Sequence, residues 1–195
     1  MSKKQDPRVL RTQKRIKEAY LVLLANEDHE NILIKQVTYE AKINRATFYR
    51  HFHDKDHLLQ GMINENFEQL TNEVQACNSA FDFVKVKQPH PRFVQLLTSI
   101  KQRDSFFFIM LKKQKSLYFY RKFEALVHDS SLATLDIALA YKHEVKYSEH
   151  ITRVFISTSI LGIIRWWVEE KFPCEPAVLA QHITDMIDYG IYESK

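Results

Sequence analysis

Ile43-Asn44-Arg45-Ala46-Thr47-Phe48-Tyr49-Arg50-His51-Phe52 is the stretch on which the reading of this chain turns. At 3.6 residues per turn, Phe48 and Phe52 share one face at an i, i+4 spacing, which anchors that face in a core. Ala46, Thr47, Tyr49 and Arg50 point elsewhere. Asn44 stands where an N-cap residue accepts hydrogen bonds from the free N–H groups of the first turn. An ordinary surface helix carries Glu and Lys on its outer face. This one carries a small residue, a hydroxyl, a phenol and a guanidinium, groups suited to phosphate oxygens and base edges. The stretch therefore predicts a helix that reads DNA.

The flanking segments give it a setting. A short helix is predicted from Ile34 to Ala41, with Val37 and Ala41 facing inward, and Lys42-Ile43-Asn44 forms the turn. The reading helix runs from Arg45 to His51. His53-Asp54-Lys55 makes a second turn, with Asp54 as a cap. A long helix then starts at Lys55 and keeps one apolar stripe, Leu59, Ile63, Phe67, Leu70 and Val74, to about Cys77. Upstream, an amphipathic helix is expected from Pro7 to about Ala25, its outer side basic through Arg8, Arg11, Lys14, Arg15 and Lys17. Two short helices joined by a three-residue turn and supported by a third form a helix-turn-helix unit.

Charge agrees with this setting. Residues 1–60 hold 12 Lys/Arg against 8 Asp/Glu, and the other 135 residues hold 16 of each, so the net charge of +4 lies wholly in the first third. A basic segment ahead of a neutral body suits a nucleic-acid-binding head. With 3 Gly and 5 Pro in 195 residues, turns are scarce and long helices are expected. No apolar run follows the basic N-terminus as in a signal peptide, and no run of ~18 consecutive apolar residues marks a membrane span. Cys77 and Cys174 have no metal or redox spacing and are expected as reduced thiols in a cytoplasmic protein. No Gly-rich phosphate loop, serine elbow or Cys-His arrangement points to an enzyme. His51, His53 and His57 include an i, i+4 pair, but no third ligand accompanies it, so neither metal nor cofactor is expected.

Beyond the long helix, Pro89 and Pro91 break the pattern between Lys85 and Pro91. Five further helices are predicted: Arg92 to Lys101; one capped by Asp104 or Ser105 and holding Phe106 to Leu111; Leu117 to Tyr141, with an interruption near His128 to Ser131; Glu149 to about Lys171, capped by Ser148 and stopped by Pro173; and Pro176 to about Tyr192. The fold class is all-α, with about nine helices. The three-helix head (residues 1–60) is joined by the long fourth helix to a helical body (residues 61–195).

The segment from Ile32 to Leu59 resembles the helix-turn-helix signature of the TetR family of bacterial transcriptional regulators, through Thr47-Phe48-Tyr49-x-His51-Phe52 and then Asp54-Lys55-Asp56-x-Leu58-Leu59. Gly162-Ile163-Ile164-Arg165-Trp166-Trp167 followed by Pro173 resembles a C-terminal subgroup of that family. The chain departs from the pattern at Lys42, where many members carry Gly. The resemblance implies a homodimer that places two reading helices in successive major grooves of a palindromic double-stranded DNA operator, with half-sites about 34–36 Å apart or a multiple of that. Arg45 is assigned to a base contact, since a guanidinium pairs bidentately with guanine. Ala46 and Thr47 lie where a methyl or hydroxyl meets thymine or phosphate, and Asn44 caps the helix beside them. Tyr49 and His51 match family positions that hold the phosphate backbone. Lys55 is placed on a phosphate at a helix N-terminus, with Lys35 and Arg50 as further phosphate candidates. Packing of Tyr49 on the first helix, and plain solvation of Lys35 and Arg50, are the competing readings.

In the family, the last two helices of each subunit form a four-helix dimer interface. Ile156, Ile160, Ile163, Ile164, Trp167, Leu179, Ile183, Met186 and Ile187 are the candidates, and the helix from Glu149, apolar on nearly every side, is expected to be buried all round. The middle helices would surround a pocket for an apolar or aromatic small-molecule effector, lined by Phe106, Phe107, Met110, Tyr118, Phe123 and Trp166, although aromatic residues at helical spacing are as readily plain core. Effector binding would release the DNA, which makes the expected activity that of a repressor; activation, or a co-regulator module without a ligand, is the alternative.

Overall fold

The computed structural model describes residues 6–77, 88–140 and 148–190, all helices and turns with no strand among them. In chain order these are α1 (Pro7–Leu24), a 3-10 turn (His29–Asn31), α2 (Ile34–Glu40), α3 (Arg45–His51), α4 (Lys55–Ala76), α5 (Pro91–Lys101), α6 (Asp104–Phe108), a π turn (Ile109–Lys113), α7 (Leu117–Ala140), α8 (Glu149–Glu169) and α9 (Pro176–Gly190). The expected basic tail Ser2 to Gln5, Tyr141 and Tyr192 fall outside the described residues, and the break at Lys85 to Pro91 falls partly outside them.

Local chemistry sets most of the boundaries. Asp6 accepts from the Arg8 N–H at 2.8 Å ahead of Pro7, and Asp54 accepts from the His57 N–H at 2.7 Å, each satisfying an orphan donor of the first turn. His90 caps α5 through Nδ1, which accepts from the Arg92 N–H at 3.3 Å. Burial, and then Arg92, pull this imidazole down to about 4, so it caps as a neutral ring. At the end of α8, Lys171 and Phe172 both adopt positive φ, 58° and 61°. The Phe172 N–H returns to the Trp167 carbonyl at 2.8 Å, closing the helix before Pro173.

Four expectations change. The sixth helix is α only to Phe108 and continues as a π turn, and its N-terminus carries no side-chain cap from Asp104 or Ser105 to the first turn beyond the bond between these two neighbours. Helix α7 is unbroken through His128 to Ser131, and the Ser131 hydroxyl is accommodated within it by donating to the Val127 carbonyl at 2.6 Å, as a serine inside a helix does. Ser148 precedes α8 without a side-chain capping bond. Helix α8 is not buried all round, since Ile151, Val154, Phe155 and Trp166 are exposed. By length and composition alone α8 is apolar enough to cross a membrane, yet its other side packs along α7.

In the head, Ile16, Tyr20, Leu24, Ile32, Val37, Phe48, Phe52 and Leu58 form a buried core. The stripe Leu58, Leu59, Met62, Ile63, Phe67, Leu70 and Val74 carries that core along α4 into the body, where α4 meets α5 and α7, and α5 meets α9.

Candidate DNA-binding surface

Helix α3 is built outward from Phe48, which is fully buried and sits edge-on to Tyr49 at 5.6 Å between ring centroids and 5.9 Å from Phe52. Asn44 Oδ1 accepts from the Thr47 N–H at 2.7 Å, which sets the entry of the helix and leaves the Asn44 amide N–H groups to donate elsewhere. With Phe48 turned inward, Arg45, Ala46, Tyr49 and Arg50 lie exposed, and Thr47 is partly so. Arg45 Nη2 donates to the Tyr49 hydroxyl at 3.2 Å, with its guanidinium 5.5 Å from the ring centroid. Arg50 Nη2 donates to the Thr47 hydroxyl at 3.2 Å. Both guanidiniums are thus held along the helix by weak contacts, and each keeps most of its five donors. Tyr49 faces outward rather than against α1, and Lys35 is exposed near the start of α2.

His51 is half-buried, and burial, then Arg50, hold its imidazole below the usual range. A neutral ring of this kind still offers one N–H to a phosphate oxygen. His53 and His57 lie 5.0 Å apart, and His57 Nδ1 accepts from the His53 backbone N–H at 3.3 Å, which engages one of the ring nitrogens that a metal would need.

Two basic residues differ from their expected use. Lys55 Nζ donates to the carbonyls of His29, Glu30 and Ile32 at 2.8, 2.6 and 3.1 Å. An ammonium has three protons, and all three are spent on the 3-10 turn, so in this structure Lys55 ties that turn to α4 instead of standing free for a phosphate. Arg15 Nη2 donates to the Ala41 and Lys42 carbonyls at 2.6 and 3.2 Å, bracing the turn between α2 and α3. That turn needs bracing because Lys42 has φ of 51°, a left-handed conformation that favours Gly. The role of Arg15 has no local signal in the sequence, since its partners are 26 and 27 residues away.

The body sorts the remaining candidates differently from the sequence reading. Phe106, Phe107, Met110 and Phe123 are buried, and Phe107 lies 5.9, 6.0 and 6.2 Å from Phe67, Phe119 and Phe123. These rings fill one another's space and form core. A cleft of about 740 Å³ lies between α4, α5 and α7, and of the six expected pocket residues Tyr118 lines it, beside Asn64, Glu68 and Lys122. Tyr118 donates to Asn64 Oδ1 at 2.6 Å there. Trp166 is 51% exposed and faces away from this cleft, on the outer side of α8.

A second opening is apolar. Phe155, Ile156, Ser159, Ile160, Ile163, Ile183, Met186 and Ile187 line a groove of about 260 Å³ between α8 and α9. Six of the nine expected interface residues are among them. Ile164, Trp167 and Leu179 are not, because they point into the chain's own core. Trp167 is 0% exposed, packs edge-on against Phe172 at 4.7 Å and donates its indole N–H to the Cys174 carbonyl at 2.9 Å. Its exposed neighbour Trp166 instead continues the exposed stripe of Ile151, Phe155 and Gly162, at i, i+4, i+11 and i+15 along the helix.

A helix-turn-helix head with a basic, polar reading face on an all-helical body defines a DNA-binding regulator. Residues 87–189, more than half of the chain, match the TetR family model described as "Transcriptional regulator C-terminal region", and the chain belongs to the TetR family of transcriptional regulators. It is 24% identical over 192 residues to the uncharacterized HTH-type transcriptional regulator YxbF of Bacillus subtilis (strain 168), a match covering 98% of this chain and 48% of the relative, so the chain spans about half the length of that relative. Among solved structures, the dihydroxyacetone kinase operon activator DhaS shares the fold at a TM-score of 0.61 and 19% identity, covering 95% of this chain and 99% of that one. The regulator FadR from Bacillus subtilis in complex with stearoyl-CoA shares it at 0.66 and 13% identity, with 91% and 98% covered.

Proposed function

We propose that this chain is a cytoplasmic repressor that binds a palindromic double-stranded DNA operator as a homodimer and is released by a small-molecule effector. The observation that carries the reading is the outward face of α3, where Arg45, Ala46, Thr47, Tyr49 and Arg50 stand over the fully buried Phe48. In this reading Arg45 contacts a base. Asn44, Thr47, Tyr49, Arg50, His51 and Lys35 hold phosphates on either side, and Lys55 acts indirectly by holding the 3-10 turn. The α8–α9 groove meets its copy on the partner and sets the distance between the two reading helices. Residues 1–60 serve as the DNA-binding domain and residues 61–195 as the effector-binding and dimerisation domain. The effector enters the cleft beside Tyr118, whose mixed lining of ring, amide and charge suits an amphipathic molecule better than a wholly apolar one.

The test is an electrophoretic mobility shift with DNA from upstream of the chain's own gene. The expected result is a complex of two chains per site that survives an excess of unrelated duplex. Absence of any sequence-selective complex overturns the reading.

A second reading, an activator or co-regulator module without a small-molecule ligand, draws on the filled aromatic cluster at Phe106, Phe107, Met110 and Phe123. The shared fold spans a protein called an operon activator and one solved with stearoyl-CoA, so the fold leaves both readings standing. Repeating the shift with candidate amphipathic ligands separates them, because only a ligand-released repressor loses its complex.

A further inference from the structure

One buried polar side chain joins the two halves of the molecule. Gln114 follows the π turn and is 4% exposed. Its Nε2 donates to the Leu24 carbonyl at 2.7 Å and the Glu27 carbonyl at 3.0 Å, and its Oε1 accepts from the His29 N–H at 3.0 Å. All three partners lie in the head, at the end of α1 and in the turn that leads into α2. Next to it, Lys113 Nζ donates to the Ala25 carbonyl at 2.5 Å. His29 is then fixed from two further sides: the Tyr20 hydroxyl donates to Nδ1, and Nε2–H donates to Asp56 Oδ1 at 2.7 Å. Asp56 lies in the first turn of α4, where Lys55 closes the same 3-10 turn.

The element behind Gln114 is a π turn, Ile109–Lys113. The Gln114 N–H returns to the Ile109 carbonyl at 3.0 Å, an i to i−5 bond. Single π turns are uncommon interruptions of α-helix. Passing one residue back into α register would rotate Gln114 by about 100° and shift it by about 1.5 Å along the axis. That motion would take its amide away from three partners at once. A buried amide bonded at every site is stable, whereas one bonded in part is costly, so Gln114 holds the end of α1 and the turn before α2 against the π turn. Ile109, Met110 and Leu111 of the π turn are themselves buried, with α8 on one side and α1 on the other.

We propose that Gln114 is the latch through which the body sets the orientation of the DNA-reading head, with the π turn 109–113 as its movable element. The inference rests on the regulator reading above.

The test uses the 195-residue chain and its Gln114→Ala and Gln114→Glu variants; the second keeps the size and an acceptor for the His29 N–H but cannot donate to Leu24 and Glu27. Hydrogen exchange is followed by mass spectrometry and operator affinity by fluorescence anisotropy. The expected result is exchange in residues 24–33 faster by roughly tenfold or more in both variants, with α8 and α9 unchanged, and weaker operator binding. Unchanged exchange in residues 24–33 overturns the latch. A uniform rise along the whole chain also overturns it, because Gln114 would then be a packing residue only. Local loosening without loss of operator affinity overturns the coupling. If the unaltered chain binds no upstream DNA, the regulator reading fails by itself, and the exchange result still decides whether Gln114 holds the head.

Discussion

Helices α3 and α8 both present exposed faces, and they come from opposite kinds of sequence. Helix α3 has seven residues, one of them fully buried, and its outer face is polar. The inward side is decided by Phe48 alone, because no other residue in the helix competes with it for the core. Helix α8 has 21 residues and apolar side chains on both faces, so spacing gives no choice between Trp166 and Trp167. The neighbours choose. One indole is buried against Phe172 and the other is left outside. A mostly polar helix declares its orientation, and a helix apolar all round acquires one only from what packs on it.

The contrast can be broken most sharply at the two tryptophans. Trp167→Ala is expected to destabilise the fold by about 3–5 kcal/mol, as for a fully buried aromatic, read as a fall in the denaturation midpoint. Trp166→Ala should leave that midpoint within about 0.5 kcal/mol. Equal effects would show that the assignment of the two faces is wrong. Next in size, Phe155→Glu places a charge at the mouth of the α8–α9 groove. It is expected to weaken self-association by about 2 kcal/mol or more, seen by analytical ultracentrifugation as a shift toward monomer, with helix content unchanged by circular dichroism. If its association constant matches that of the unaltered chain, the groove is not the interface.

In the head, Arg45→Ala should cost about 1–3 kcal/mol on the operator and relax selectivity at one base pair, measured by anisotropy against single-base variants of the site. Lys55→Ala separates phosphate contact from bracing. A phosphate contact predicts a salt slope reduced by about 1. The three carbonyl bonds predict an unchanged slope and a head less stable by about 1–3 kcal/mol. The smallest effect is expected at Lys42→Gly, which relieves the positive φ and should stabilise the head by about 0.5–1 kcal/mol, detected as a raised thermal midpoint.

Legibility followed distance along the chain. The caps Asn44 and Asp54 act over three residues, and α3 begins and ends where its own residues place it. The π turn had no such signal, since Phe106 to Leu111 read equally well as α-helix. Of the expected pocket, Tyr118 lines the cleft between α4, α5 and α7, while Phe106 and Phe107 are packed by Phe67 and Phe119 arriving from two other helices.

By itself, the sequence determined the helix-turn-helix, the exposed polar face over Phe48 and the run of helices, because 3.6-residue spacing and capping are settled within a turn or two. Tertiary structure alone decided that Lys55 and Arg15 brace the head, that the aromatic cluster is core, that Trp166 faces out while Trp167 faces in, and that Gln114 spans 85 to 90 residues to join body to head. Each of these depends on which distant groups fold together, and no local periodicity encodes that.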